Sequence, residues 1–315
     1  MNQLTDVVHL RSPYGLKRTE YEVEFDPEMR VIWAFLNPRS NACFTPTLLA
    51  AIRNHDDALE RNQGKVLYEG GLHDARYYVM GSRTPRVFSL GGDLALFQLL
   101  IRAGDRTALL NYAKRCIDCV YPRIVNHGVP TLTTISLVQG DALGGGFEAA
   151  LAADVLVAEE DAMFGLPEIT FNLFPGMGAY SLLARRVGMR QAEKLMLDGR
   201  LRSAQELHEM GVVDVVAPAG MGERTVHEWI RRNERRQNGM QAIFRSRQSI
   251  QPITRQELDE IAETWVDAAL RLTDRDIRMM RRLVAAQQRR IAEQAECETD
   301  GADSIPAAPL ATACQ

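Results

Sequence analysis

The chain predicts an α/β protein that ends in a helical segment. Three observations predict this class. Apolar runs rich in β-branched and aromatic residues recur between residues 31 and 216, with helical patterns between most of them. Glycine-rich turns follow several of those runs, as expected where a strand hands over to a helix. After about Pro218 the strand signal stops and helical periodicity takes over.

Taken in order, Val31-Ile-Trp-Ala-Phe-Leu36 reads as a strand. Thr45 is placed to cap a helix with Pro46 at its first position, running towards Asn62. Ala75 to Met80 and Val87 to Leu90 are strand-like, and Ala108 to Ile124 is helical. Thr131 to Val138 is the clearest strand; Asp154 to Ala158 and Val212 to Val216 are two more. Repeated ββα or βαβ units account for this alternation, although no internal sequence repeat accompanies them. Thr254-Arg-Gln-Glu257 reads as a capping box opening a helix through Trp265 and Ala269. Thr273 to Asp276 caps a second, basic helix carrying Met279, Leu283 and Ile291. The chain divides into a polar, frayed start (residues 1–20), a core (21–220), a helical segment (221–295) that closes a pocket or packs on a neighbouring subunit, and a disordered tail (296–315) without periodicity.

Composition narrows the function. Hydrophobic content of 46% and charged content of 25% suit a globular protein with a real core, and a net charge of −4 favours neither nucleic acid nor an anionic membrane. The longest apolar stretches, Ala149–Ala153 and Val155–Ala158, are split by Asp154, far short of the roughly 20 residues a membrane helix needs. The N-terminus lacks the blocks of a signal peptide, so a cytoplasmic location is expected. Five cysteines, Cys43, Cys116, Cys119, Cys297 and Cys314, do not make a disulfide framework. Cys116 and Cys119 form a CxxC with no second pair at zinc spacing, so buried thiols are expected and no metal.

Two carboxylates stand out in glycine-rich, apolar surroundings: Glu148 in Leu143-Gly-Gly-Gly-Phe-Glu148 and Glu168 in Phe164-Gly-Leu-Pro-Glu168. A third segment, Phe88-Ser-Leu-Gly-Gly-Asp93, repeats the glycine turn after an apolar run. A tight strand-to-helix turn leaves the first N–H groups of the helix without partners, at the positive end of its dipole. One glycine N–H from each turn can then meet the oxygen of a thioester carbonyl, while the glutamates move protons. Glu168, flanked by Leu166, Pro167, Ile169 and Phe171, is expected to be desolvated and raised in pKa. If it shares a pocket with Glu148, the two titrate as a coupled pair that supplies one acid and one base. A Walker loop is excluded because no Gly-Lys-Ser/Thr ends the glycine run, and a dinucleotide fingerprint does not fit the spacing.

These three ordered segments resemble the crotonase (enoyl-CoA hydratase/isomerase) superfamily over residues 30–220, with the glutamates at the family's spacing. The resemblance implies a spiral of ββα units, a homotrimer or dimer of trimers, and a thioester-bound acyl substrate with no other cofactor. It places the oxyanion hole at the backbone N–H of Gly92 and Gly145 and the catalytic pair at Glu148 and Glu168. Leu90–Phe97, Leu137–Leu143, Phe174–Tyr180 and Thr264–Ala269 are similar to the diffusible-signal-factor synthase subgroup, from about Asn41 to Arg290. That likeness implies dehydration of a 3-hydroxyacyl chain on acyl carrier protein, then thioester hydrolysis to a cis-2-unsaturated fatty acid used in bacterial signalling. Leu166, Ser89 and Leu90 depart from ordinary hydratases, which favours the subgroup or reflects another acyl-CoA. The substrate pocket is expected at Met177, Trp265 and Leu283, and Arg185-Arg186 or Arg231-Arg232 offer basic surfaces for carrier docking. Two rival readings remain: an enoyl-CoA hydratase of fatty-acid oxidation, and a protein of this fold that regulates a sensor kinase partner. The sequence leaves open which glutamate is acid and which is base.

Overall fold

The computed structural model describes residues 19–39, 41–286 and 289. Strands β1 (Tyr21–Asp26) and β2 (Val31–Leu36) form an antiparallel hairpin. Helix α1 (Pro46–Arg61) follows, with Thr45 Oγ1 accepting the N–H of Leu48 at 3.2 Å. A small hairpin, β3 (Lys65–Tyr68) and β4 (Gly71–Asp74), leads into β5 (Tyr77–Ser82) and β6 (Val87–Ser89), then α2 (Leu94–Ala103) and α3 (Arg106–Ile124). The next turn of the chain runs β7 (Thr133–Val138), β8 (Asp141–Leu143) and α4 (Gly145–Leu151). The one after it runs β9 (Val155–Glu159), β10 (Met163–Gly165), α5 (Ala179–Val187) and α6 (Met189–Asp198). Short β11 (Arg202–Ser203), α7 (Ala204–Glu209) and β12 (Val215–Ala217) close the core. Helices α8 (Gly222–Asn233), α9 (Gln237–Ile250), α10 (Arg255–Ala269) and a final helical run over 274–286 follow.

Two sheets result. The larger has the order β1-β2-β5-β7-β9-β12, parallel throughout except at β1–β2; the smaller has the order β11-β10-β8-β6. Each of the pairs β5–β6, β7–β8 and β9–β10 places its first strand in the large sheet and its second in the small one. A helix then carries the chain to the next pair, so the molecule is a spiral of ββα units with a helical C-terminal part. The expected α/β class is therefore observed. Both faces of the central strands are covered, and β2, β5, β7 and β9 are buried along their whole length, as parallel strands between two layers must be.

Some sequence expectations need correction. Strands β1, β3, β4, β8, β10 and β11 were not read from the sequence, several being only two to four residues long. The capping box at α10 is half formed: Thr254 Oγ1 accepts the Glu257 N–H at 3.0 Å. The Glu257 carboxylate does not return to the cap; it accepts from Ser181 and, at 2.9 Å, from Arg185 of α5. That tie fastens α10 to α5. Residues 1–18 of the expected frayed start (1–20), Ile291 and the expected tail at 296–315 lie outside the described residues.

Candidate active site

The site is assembled where the small sheet's strands end. After β6 the chain turns through Leu90–Gly92 into α2, capped by Asp93, whose carboxylate accepts the Leu96 N–H at 3.0 Å. After β8 it turns at Gly144 into α4, with φ 52° and ψ −125° at the cap. The two turns touch. A Cβ on Gly91 would lie 2.8 Å from the Gly145 nitrogen, and one on Gly145 would lie 3.4 Å from the Gly92 nitrogen and 2.5 Å from Met177 Sδ. A Cβ on Gly146 would come within 2.2 Å of the Ser89 carbonyl oxygen, so α4 can pack on β6 only through glycine. Gly145 opens α4, where the N–H has no acceptor within its own helix. This arrangement puts the Gly92 and Gly145 amides side by side at the positive end of a helix.

Glu148 stands in the first turn of α4 and is 1% exposed. Its Oε1 accepts two backbone N–H groups, from Met177 at 2.7 Å and Ala179 at 2.9 Å, at the start of α5. Burial raises its pKa to about 7, with the Ala179 and Met177 donors pulling the other way. Glu168 lies in the short 3-10 turn Pro167–Phe171, with Oε1 against Gly144: a Cβ there would sit 2.5 Å away. The residue keeps some exposure, but Oε2 is buried and has no hydrogen-bond partner among the described residues. Burial, and then the neighbouring Glu148 charge, raises Glu168 to about 8. Both carboxyls are thus pushed up by burial, and Glu168, beside the Glu148 charge and without the donors that stabilise the Glu148 anion, is pushed up further.

One cavity is lined by Gly92, Gly144, Gly145, Glu148 and Glu168 together with Met177, Trp265 and Leu283. Leu90, Leu94, Phe97, Phe171 and Leu173 make the rest of its wall apolar, and Tyr112, Ala113 and Cys116 face it from α3. The structure thus brings together the residues expected from the sequence as the carboxylate pair, the two glycine amides and the substrate pocket. Trp265 rests on the Cα of Gly176, where a Cβ would meet the indole at 2.5 Å, and its ring lies 4.9 Å from that of Phe97. Tyr112, Cys116 and the Met177 and Ala179 amides were missed. The i, i+1, i+4 grouping of Tyr112, Ala113 and Cys116 on one face of α3 was the available signal. Cys43, Cys116 and Cys119 are buried free thiols.

The expectation that Arg185-Arg186 form a docking surface is overturned. Arg185 is spent on Glu257 and the Gln251 and Pro252 carbonyls; Arg186, 14% exposed, is spent on Asp214 and the Leu151, Ala153 and Val212 carbonyls. Arg231 and Arg232 are exposed, with Arg232 paired to Glu228. Among the described residues no group of three His, Cys, Asp or Glu could hold a metal ion, and no helix is long and apolar enough to cross a membrane.

The raised carboxylates carry a stability signature. In the unfolded chain Glu168 ionises above about 4.5, while in the fold it keeps its proton up to about 8. The folded state binds the extra proton throughout that window, so this contribution to stability is full below it and is lost as pH rises through it. Glu168→Gln is expected to raise stability relative to wild type by about 1–3 kcal/mol at pH 9, with little difference at pH 4. Thermal melts of both proteins across pH 4–9 check this; a difference that does not grow with pH refutes it.

The model of the enoyl-CoA hydratase/isomerase family matches residues 73–263. Among curated relatives, the 2,3-dehydroadipyl-CoA hydratase of Escherichia coli (strain K12) is 46% identical over 87 residues, 28% of this chain and 34% of that protein. The peroxisomal fatty acid beta-oxidation multifunctional protein AIM1 of Arabidopsis thaliana is 29% identical over 193 residues, 61% of this chain and 24% of its own. The chain thus spans only about a quarter to a third of the length of these relatives. Similar solved structures include Pseudomonas aeruginosa DspI, with TM-score 0.61 and 22% identity over 76% of this chain and 90% of that one. The enoyl-CoA hydratase from Bacillus halodurans has TM-score 0.67 and 18% identity, over 84% and 99%. At such identities the structural likeness establishes the fold.

Proposed function

The chain belongs to the enoyl-CoA hydratase/isomerase family, within which we propose that it dehydrates a 3-hydroxyacyl thioester and then hydrolyses the 2-enoyl product to a free cis-2-unsaturated fatty acid. The observation that carries this reading is one cavity of mainly apolar wall lined by two carboxyl groups, both raised by burial, beside two glycine turns. The thioester oxygen accepts the Gly92 and Gly145 N–H groups, which stabilises the enolate that forms when C2 loses a proton. Each such donor is worth about 2.7–4 kcal/mol in the transition state. The charged carboxylate takes the C2 proton, the C2=C3 bond forms as the C3–O bond breaks, and the protonated carboxyl converts the departing hydroxyl to water. The pair ends with one proton, as it began. Hydrolysis reuses the site: a carboxylate takes a proton from water, the hydroxide adds to the carbonyl carbon, and the thiol leaves with a proton.

The acyl carrier is acyl carrier protein or coenzyme A, and assembly as a homotrimer or a dimer of trimers is part of this reading. Exposed Met189, Leu197 and Leu201, at 63%, 67% and 39%, give such contacts apolar surface on and just after α6. The likeness to the E. coli hydratase favours a second reading, reversible hydration of an enoyl-CoA without hydrolysis. Mass spectrometry of products from 3-hydroxyacyl carrier protein and from the matched CoA ester separates the two. Free unsaturated acid supports thioester cleavage; enoyl thioester alone supports the hydratase; no product from either sinks both.

Chain length should be set by Trp265, whose indole walls the cavity at 5% exposure. Trp265→Ala opens space beside Phe97 and Gly176 and is expected to shift the preferred acyl chain to longer substrates. It should also destabilise the fold by about 3–5 kcal/mol. Competition between acyl chains of different length, read by product mass, checks it; unchanged preference in a folded variant refutes a selective role.

A further inference from the structure

The Tyr112 hydroxyl, on α3, is buried behind the turn that carries Gly92. It donates to the Phe44 carbonyl and accepts the Asp93 N–H at 3.0 Å. On the other side of Gly92, the Gly91 carbonyl accepts the Phe44 N–H at 2.8 Å, and Ala42 accepts the Leu90 N–H at 2.7 Å. Phe44 and Gly92 therefore face each other in a short parallel bridge. Regular parallel pairing would join the Asp93 N–H directly to the Phe44 carbonyl. Here the phenol stands against both groups of that pairing, accepting the Asp93 N–H and donating to the Phe44 carbonyl. The Gly92 peptide is thus held between a main-chain bond on one side and a tyrosine on the other. Phe97 presses on the face of Gly92, where a Cβ would lie 2.6 Å from Cζ, and Tyr112 meets Phe97 edge-on at 5.1 Å. Burial pushes the phenol's pKa well above its ordinary value, so it stays a donor.

We propose that Tyr112 is a positioning residue of the oxyanion hole, its hydroxyl fixing the direction of the Gly92 N–H by clamping Phe44 and Asp93. This rests on the reading that Gly92 and Gly145 bind the thioester oxygen. Without the hydroxyl, the Phe44 carbonyl and the Asp93 N–H each lose a hydrogen bond, and on that side the Gly92 peptide is held by the main-chain bridge alone. That loosening degrades a donor that has to be aimed before the reaction begins.

The test is Tyr112→Phe, with Tyr77→Phe as the matched control, because the buried Tyr77 phenol on β5 has no partner among the described residues. Two readouts are compared. In turnover of 3-hydroxyacyl thioesters, Tyr112→Phe should lower kcat about 10- to 100-fold with KM within about twofold. In isotope-edited infrared spectra, 2-decenoyl pantetheine labelled at its carbonyl is bound to the inactive Glu148→Gln/Glu168→Gln background. There the downward shift of the carbonyl band should shrink when Tyr112→Phe is added. Tyr77→Phe should change neither. Incorporating 4-aminophenylalanine at position 112, which restores a donor towards Phe44, should recover part of the lost rate and band shift, also where the Phe variant folds poorly.

An unchanged kcat, a loss of kcat with the band shift intact, or no recovery with 4-aminophenylalanine overturns the role of Tyr112. If wild type turns over no thioester, the proposed reaction fails, yet the band comparison still decides whether Tyr112 aims the donor. A wild-type band without any shift overturns the oxyanion hole and Tyr112 with it.

Discussion

Glu148→Ala and Glu168→Ala should each slow dehydration of a 3-hydroxyacyl thioester by about 10²–10⁴-fold, the range for a positioned acid or base. Each removes one end of a proton exchange that has to occur on both sides of the C2–C3 bond. The two variants should differ in stability. Glu148 satisfies the Met177 and Ala179 N–H groups, so its loss strands two buried donors at the start of α5 and costs about 1–3 kcal/mol. Glu168 Oε2 satisfies nothing among the described residues, and its removal also relieves a buried carboxyl. Initial rates and thermal melts of both variants test this, together with release of free acid from a supplied cis-2-enoyl thioester. Undiminished acid release by both would mean that hydrolysis does not use the pair, and the single-site mechanism would fall.

Gly144→Ala should be nearly as damaging although Gly144 itself carries no titratable group. Its methyl would lie 2.5 Å from Glu168 Oε1, in a backbone conformation (φ 52°, ψ −125°) that side chains seldom adopt. The carboxylate has to move, and a displacement of about 1 Å in a reacting group costs on the order of 10²-fold in rate. Gly211→Ala separates collision from backbone strain, because Gly211 also has positive φ (77°) but nothing stands within 4 Å of its Cβ position. Gly211→Ala is expected to lose about 1 kcal/mol of stability and keep its turnover. Equal turnover in the two variants would show that the Gly144 contact does not hold Glu168.

The parts of this molecule legible in the sequence are those whose physics is local. The Thr45 cap needs only an oxygen three residues before an unpaired N–H, and Pro46 only a fixed φ, so both announce α1. Strand β2 is six consecutive apolar residues buried on both faces, which no exposed element tolerates. The glycines of the two turns and the glutamates beside them are visible for the same reason: close approach of main chains excludes side chains, and a carboxylate among Leu, Pro and Phe is conspicuous.

What escaped the sequence depends on distant partners. Strands β8 and β10 are three residues long, too short to show a two-residue period, and exist because they pair with each other and, on their outer sides, with β6 and β11. Glu257 has the spacing of a capping box, yet Arg185, 72 positions away, offers a charged partner and wins it. Arg186 looks like surface charge but is consumed by carbonyls at the end of α4. Tyr112 reaches Phe44 across 68 positions, a contact that no periodicity encodes.

By itself the sequence determined the α/β class, the helical C-terminal part, the glycine turns and the two carboxylates that chemistry of this kind requires. Only the tertiary structure decided which carboxyl is pushed up further. That choice depends on two N–H donors arriving from α5 at Glu148 and none at Glu168, and a donor's aim is set by packing between elements remote in the chain.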